Sequence, residues 1–117
     1  MAFEILKKEE YTLIKVKTDR LDTNSAPDLK SELVILNNSG ATDIVLDMSE
    51  CSYCDSSGLR AILVGNRLCE DAIGTFILSG LQPDVENLIR ISMLHTVLLI
   101  TKTVDEAEEL LKKKKRL

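Results

Sequence analysis

Two hydroxyls stand side by side at Ser56 and Ser57, with an acid before them, Asp55, and a glycine after, Gly58. The apolar run from Ile44 to Met48 precedes the group, and helical spacing of apolar residues follows it from Leu59 to Cys69. That order reads as strand, short loop, helix. A helix leaves its first backbone N–H groups unpaired, so a serine there serves as a cap and the glycine lets the loop turn tightly. The same N–H groups and the positive end of the helix dipole also favour a phosphoryl group. A phosphoserine brings about −1.5 to −2 charges. At Ser56 that charge would lie beside Asp55, and beside Asp22 if the loop after the second strand meets this one. Repulsion makes such a modification costly and its surface effect large, which suits a switch. With Ser56 as N-cap, its side chain lies at the mouth of the helix, while Ser57 begins the first turn and points back toward the strand.

The other reactive side chains form no catalytic set. A serine hydrolase needs a base, and the one histidine, His95, comes with no Gly-x-Ser-x-Gly elbow and no defined acid. Cys51 and Cys54 have redox spacing, but Asp55 and Ser56 occupy the helix start where a reactive thiol would sit. In an extended segment, Cα atoms three residues apart are roughly 10 Å distant, beyond disulfide reach. A metal set of Cys51, Cys54, Cys69 and His95 would take Cys69 from a helix row that belongs to the core. At least two of the three thiols read as small buried hydrophobes. The expectation is a binding module, with no enzymatic activity, no metal and no cofactor of its own.

The 117 residues fit one domain spanning 1–117, with one modest core and a basic tail at 112–117. A net charge of −4, an aromatic share of 3% and no tryptophan argue against a nucleic-acid surface. No apolar run reaches the roughly 20 residues of a membrane span. The stretch from Met1 to Glu10 is strand-like and charged, unlike a secretory leader. Three cysteines, an odd count without such a leader, point to reduced thiols in the cytoplasm. A cytoplasmic monomer, or at most a weak dimer, is expected.

The elements that must carry the serines follow from periodicity. Phe3/Ile5 and Ile14/Val16 alternate with polar residues across a turn at Lys7–Glu10, which predicts a hairpin with one wet face. Thr18–Asn24 reads as a loop. Ser25, Pro27 and Asp28 mark a helix start, carried on by Leu29, Leu33 and Leu36 and closed at Asn37–Gly40. Ala41–Met48 is a central strand, and Ser56 to about Glu70 is the second helix. Gly74–Leu78 is another buried strand, and Pro83 opens a third helix with Val85, Leu88 and Ile89 inward. Thr96–Thr101 is the last strand. Thr103 and Glu106 form a capping box for a final helix that packs through Ala107, Leu110 and Leu111. Alternation of strands and helices after a hairpin predicts an α/β domain, a mixed sheet flanked by helices. On the second helix, Ala61, Val64 and Leu68 add a second apolar row flanked by Arg60 and Arg67. Such a row is either covered by the neighbouring helix or offered to a partner. The run from Lys112 to Arg116 favours the helix dipole and reads as a solvated tail.

Asp55-Ser56-Ser57-Gly58-Leu59 after such a strand resembles the STAS domain, shared by sulphate transporters and anti-sigma factor antagonists. Leu21-Asp22 followed by Ser25-Ala26, and Leu94-His95 before the last strand, extend the resemblance over nearly the whole chain. Cys54 stands where the family usually has a larger apolar residue, and Arg20 where a glycine often precedes the Leu-Asp pair. The resemblance implies a mixed sheet of about five strands with about four helices. It also implies a small antagonist that, unphosphorylated, binds an anti-sigma factor which is itself a serine kinase. Phosphorylation of the first serine, Ser56, breaks that complex, and a serine phosphatase resets it. The motif loop, Asp22 and the second helix would be the docking surface: Asp22, Asp55, Ser56, Ser57, Gly58, Ala61, Val64 and Leu68. The kinase would supply ATP, Mg²⁺ and the catalytic base. STAS domains also serve as scaffolds of signalling assemblies and as accessory subunits of lipid transporters, independent of sigma factors, which is the alternative implied.

Overall fold

Apolar content decides which strands take the centre of the sheet. In the computed structural model, which describes residues 2–115, five strands lie in the order β1-β2-β4-β6-β7. They are β1 (Phe3–Lys7), β2 (Thr12–Val16), β4 (Ile44–Asp47), β6 (Phe76–Ser79) and β7 (Leu99–Thr101). β1 runs antiparallel to β2, and every other neighbour pair is parallel. Ile44, Val45 and Leu46 at the centre are all buried, as strands covered on both faces require. A mixed sheet with four helices is the architecture that the alternating pattern predicts.

One face carries α1 (Ala26–Asn38), α2 (Ser56–Asp71) and α3 (Pro83–Ile91), with Ile14, Leu46 and Leu78 beneath Leu29, Leu33, Ile62 and Ile89. The other face carries α4 (Val104–Lys115), whose Ala107 and Leu111 pack on Leu13, Val45 and Ile77. This second layer corrects the expected wet face of the hairpin. On that face β1 exposes Glu4, but β2 is dry at Leu13 because α4 covers it. Thr103 accepts from the Glu106 N–H at 3.1 Å, and the Glu106 carboxylate reaches back to the Lys102 N–H at 3.1 Å. The capping box is therefore present, with its return bond one residue earlier than the usual pattern.

The basic run is solvated, as expected, and helical as far as Lys115. Lys112–Lys115 form the last turn of α4, and Lys115 pairs with Glu10 at 2.6 Å and Asp43 at 3.7 Å. Arg116 lies outside the described residues. The last strand is shorter than its apolar run, since Leu94–Thr96 form a 3₁₀ turn before β7.

Candidate functional site

β2 and β4 are adjacent and parallel, so the loops leaving their C-terminal ends emerge on the same edge of the sheet. That topology brings Asp22 to the serine motif. The loops pair as a small second sheet, β3 (Arg20–Leu21) with β5 (Tyr53–Cys54). Thr18–Asn24 is thus not wholly loop. The Asp19 carbonyl accepts from the Ser52 and Tyr53 N–H groups at 2.9 and 3.1 Å, and the Asp55 N–H donates to the Leu21 carbonyl at 3.3 Å. Arg20 lies 3.9 Å from the centroid of the Tyr53 ring and 3.4 Å from the Asp22 carboxylate. The Asn24 N–H, bonded at 3.0 Å, holds the Asp22 carboxyl below the usual carboxylate range, and Arg20 adds to the effect. Ser25 is spent on this loop rather than on α1. Its Oγ accepts from the Asp22 N–H at 3.0 Å and donates to the Arg20 carbonyl at 2.8 Å, and its side chain makes no cap bond.

The cap of α2 is Asp55, not Ser56. Asp55 has extended backbone, and its Oδ1 accepts from the Ser57 and Gly58 N–H groups at 2.9 and 3.1 Å. A carboxylate at the positive end of the helix meets both the dipole and two unpaired donors. Ser56 becomes the first helical residue and is exposed. Ser57 is half-buried and does not turn back toward the strand. Its Oγ lies 3.4 Å from Thr23 Oγ1, a hydrogen bond that ties the helix start to the neighbouring loop. The sequence carried the signal for the cap, since aspartate ranks with serine there and stands first in the motif.

Gly58 is buried, and its role is close approach rather than contact with solvent. A Cβ there would lie 2.4 Å from the Leu21 carbonyl oxygen and 2.6 Å from Cys54 Sγ. The expected docking row is also corrected in part. Ala61 is fully buried, Leu68 is half-buried against the core, and α1 covers this side of α2. Val64 remains half-exposed in a shallow groove with Lys30, Arg60, Leu63 and Arg67. Of the expected docking residues, Asp22, Asp55, Ser56 and Ser57 lie at the surface of the two loops, beside Arg20, Thr23, Asn24 and Tyr53, which the sequence does not mark for it.

All three cysteines are free thiols in buried positions. Burial pushes Cys51 up and Cys54 and Cys69 each up to about 12, so none is a ready nucleophile at neutral pH. Among the described residues, no three of His, Cys, Asp and Glu are grouped to hold a metal ion. His95 sits on the 3₁₀ turn, half-buried, with Nδ1 unpartnered and in none of the bonds around the serines. Among the described residues, no helix is long and apolar enough to cross a membrane.

The chain belongs to the STAS domain family, whose model matches residues 2–107. The chain is 28% identical over 87 residues to BtrV of Bordetella bronchiseptica, named as an anti-sigma factor antagonist, covering 74% of this chain and 75% of that protein. A Thermotoga maritima structure described as an anti-sigma factor antagonist superposes with a TM-score of 0.85 at 21% identity, over 94% of each chain. The phosphorylated form of the Bacillus cell fate determinant SpoIIAA superposes with a TM-score of 0.73 at 22% identity, over 93% of this chain and 99% of that one. At these identities, the two structures show a shared fold.

Proposed function

We propose that this chain is a partner-switching antagonist whose switch is Ser56. Unphosphorylated, it binds an anti-sigma factor that is also a serine kinase, and so frees the sigma factor. The kinase transfers the γ-phosphoryl group of ATP to Ser56: the Oγ–P bond forms, the bond to ADP breaks, and the hydroxyl proton goes to the kinase's base. The complex then dissociates, and a serine phosphatase restores the hydroxyl. This chain performs no catalysis of its own.

The observation that carries the reading is the division of labour between Asp55 and Ser56. Because the carboxylate caps the helix, Ser56 is free of that duty and exposed at the first helical position. Ser57 is half-buried and held by Thr23. Support also comes from the similarity to BtrV and to the phosphorylated form of SpoIIAA. Once made, the phosphoserine adds about −1.5 to −2 charges beside Asp55 and the Asp22 loop. Like charges placed at an interface cost several kcal/mol, enough to dissolve a complex. Phosphopeptide mapping after incubation with the cognate kinase tests this. Label on Ser56, absent from Ser56→Ala, is expected; label on Ser57 alone would overturn the assignment.

A further inference from the structure

We propose that Arg60 captures the phosphate on Ser56, so that phosphorylation masks a cation on α2 as well as adding negative charge. The inference rests on Ser56 being the modified residue. Ser56 and Arg60 are four residues apart on one helix, and both are exposed. Residues so spaced share a face, with Cβ atoms about 5–6 Å apart. A phosphate on the first and a guanidinium on the second are therefore within reach. The order also suits them, because the anion precedes the cation along the helix.

Arg60 has no other evident occupation. Among the described residues, the ion pairs engage Lys17, Arg20, Arg90 and Lys115, and none engages Arg60. Arg20, the cation of the neighbouring loop, is held between Asp22 and the face of Tyr53. A cation in the second turn of a helix also opposes the dipole, and the nearby Asp55 carboxylate is taken up by the Ser57 and Gly58 N–H groups. Ser56 as a hydroxyl gives Arg60 nothing; as a phosphate it gives a planar, forked donor a matching set of oxygens.

The consequence reaches the groove beside Arg60. Lys30, Arg60 and Arg67 line it with Leu63, Val64 and Asn66, and Glu70 and Asp71 line it further along α2, so cations outnumber carboxylates there on a chain whose net charge is −4. In the unphosphorylated protein, Arg60 faces this groove without an ion-pair partner among the described residues. After phosphorylation it is paired, so an acidic partner segment meets a weaker attraction there and a new repulsion at Ser56.

The test uses protein with phosphoserine installed at position 56 during synthesis, which needs no kinase. ³¹P NMR titration reads the second ionisation of the phosphate at low ionic strength. With Arg60 present, that pKa lies roughly 0.2–0.4 of a unit lower than in Arg60→Gln. Arg60→Lys, which keeps the charge, recovers most of the shift, and Arg20→Gln leaves the value where it is. Equal pKa values in the unsubstituted protein and Arg60→Gln would overturn the proposal, as would a larger effect from Arg20→Gln. A kinase that ignores Ser56 would instead remove the switch reading and leave this titration standing, so the two failures are distinguishable.

Discussion

Gly58→Ala tests the packing that holds the two loops of the site together. An added Cβ would lie 2.4 Å from the Leu21 carbonyl oxygen and 2.6 Å from Cys54 Sγ, both far inside van der Waals contact. The oxygen is backbone of β3, which pairs with β5 and accepts the Asp55 N–H at 3.3 Å. It cannot withdraw without parting the loops. Alanine regains up to about 1 kcal/mol of helix propensity. Against this stand about 1–3 kcal/mol of overpacking and about 1 kcal/mol for a strained or lost hydrogen bond. The net expectation is a loss of about 1–3 kcal/mol. With a urea slope of about 1–3 kcal/mol per molar, the midpoint should fall by roughly 1 M. Gly65→Ala is the comparison. There the added Cβ would meet the Phe76 ring at 2.6 and 2.9 Å, and a ring is a side chain that can tilt, so the loss should be smaller. Urea denaturation of the two variants decides the matter. A Gly58→Ala protein as stable as the parent, or less affected than Gly65→Ala, would refute the reasoning.

Two further predictions concern the cap and the thiols. Asp55→Ala strands the Ser57 and Gly58 N–H groups and should cost about 1–2 kcal/mol in thermal unfolding, while Asp55→Asn stays close to the parent; an unchanged Asp55→Ala melt would reassign the cap. Burial raises Cys54 and Cys69 to about 12, so between the ordinary thiol pKa, about 8.5, and that value the native state holds protons which the unfolded state has released. Stability should therefore be unaffected by these thiols below about pH 8 and fall as pH rises above it. The parent should lose more stability than a Cys54→Ala/Cys69→Ala double variant between pH 7.5 and 10 in urea melts, and equal losses would contradict the burial argument.

The sheet and its helices were legible because each long element repeats its apolar residues at one period. Leu29, Leu33 and Leu36 mark α1, and Val85 and Ile89 mark α3, whatever surrounds them. β3 and β5 were not legible, since two residues each leave no alternation to read. Their pairing comes from the parallel neighbours β2 and β4, a tertiary fact. The dry face of β2 had a local trace in Leu13, but only the docking of α4 decides its burial. Ala61 illustrates the same limit: an apolar row on a helix looks alike whether a neighbour covers it or not, and α1 does. At the site, Asp55 took the cap from Ser56 because a charged acceptor serves two N–H groups at once. Arg20 stacking on Tyr53 joins residues 33 apart in the chain, and no local pattern announces it.

The central claim is that a phosphate on Ser56 releases a partner, and a pair of binding measurements addresses it directly. Protein with serine at position 56 and protein carrying phosphoserine there are each titrated against the same anti-sigma kinase, without ATP, by isothermal calorimetry. A charge change that costs an interface about 3 kcal/mol weakens binding by about 100-fold. The account predicts a loss of at least that order, with Ser56→Ala binding as tightly as the unmodified protein. Equal affinities for the serine and phosphoserine forms would contradict it.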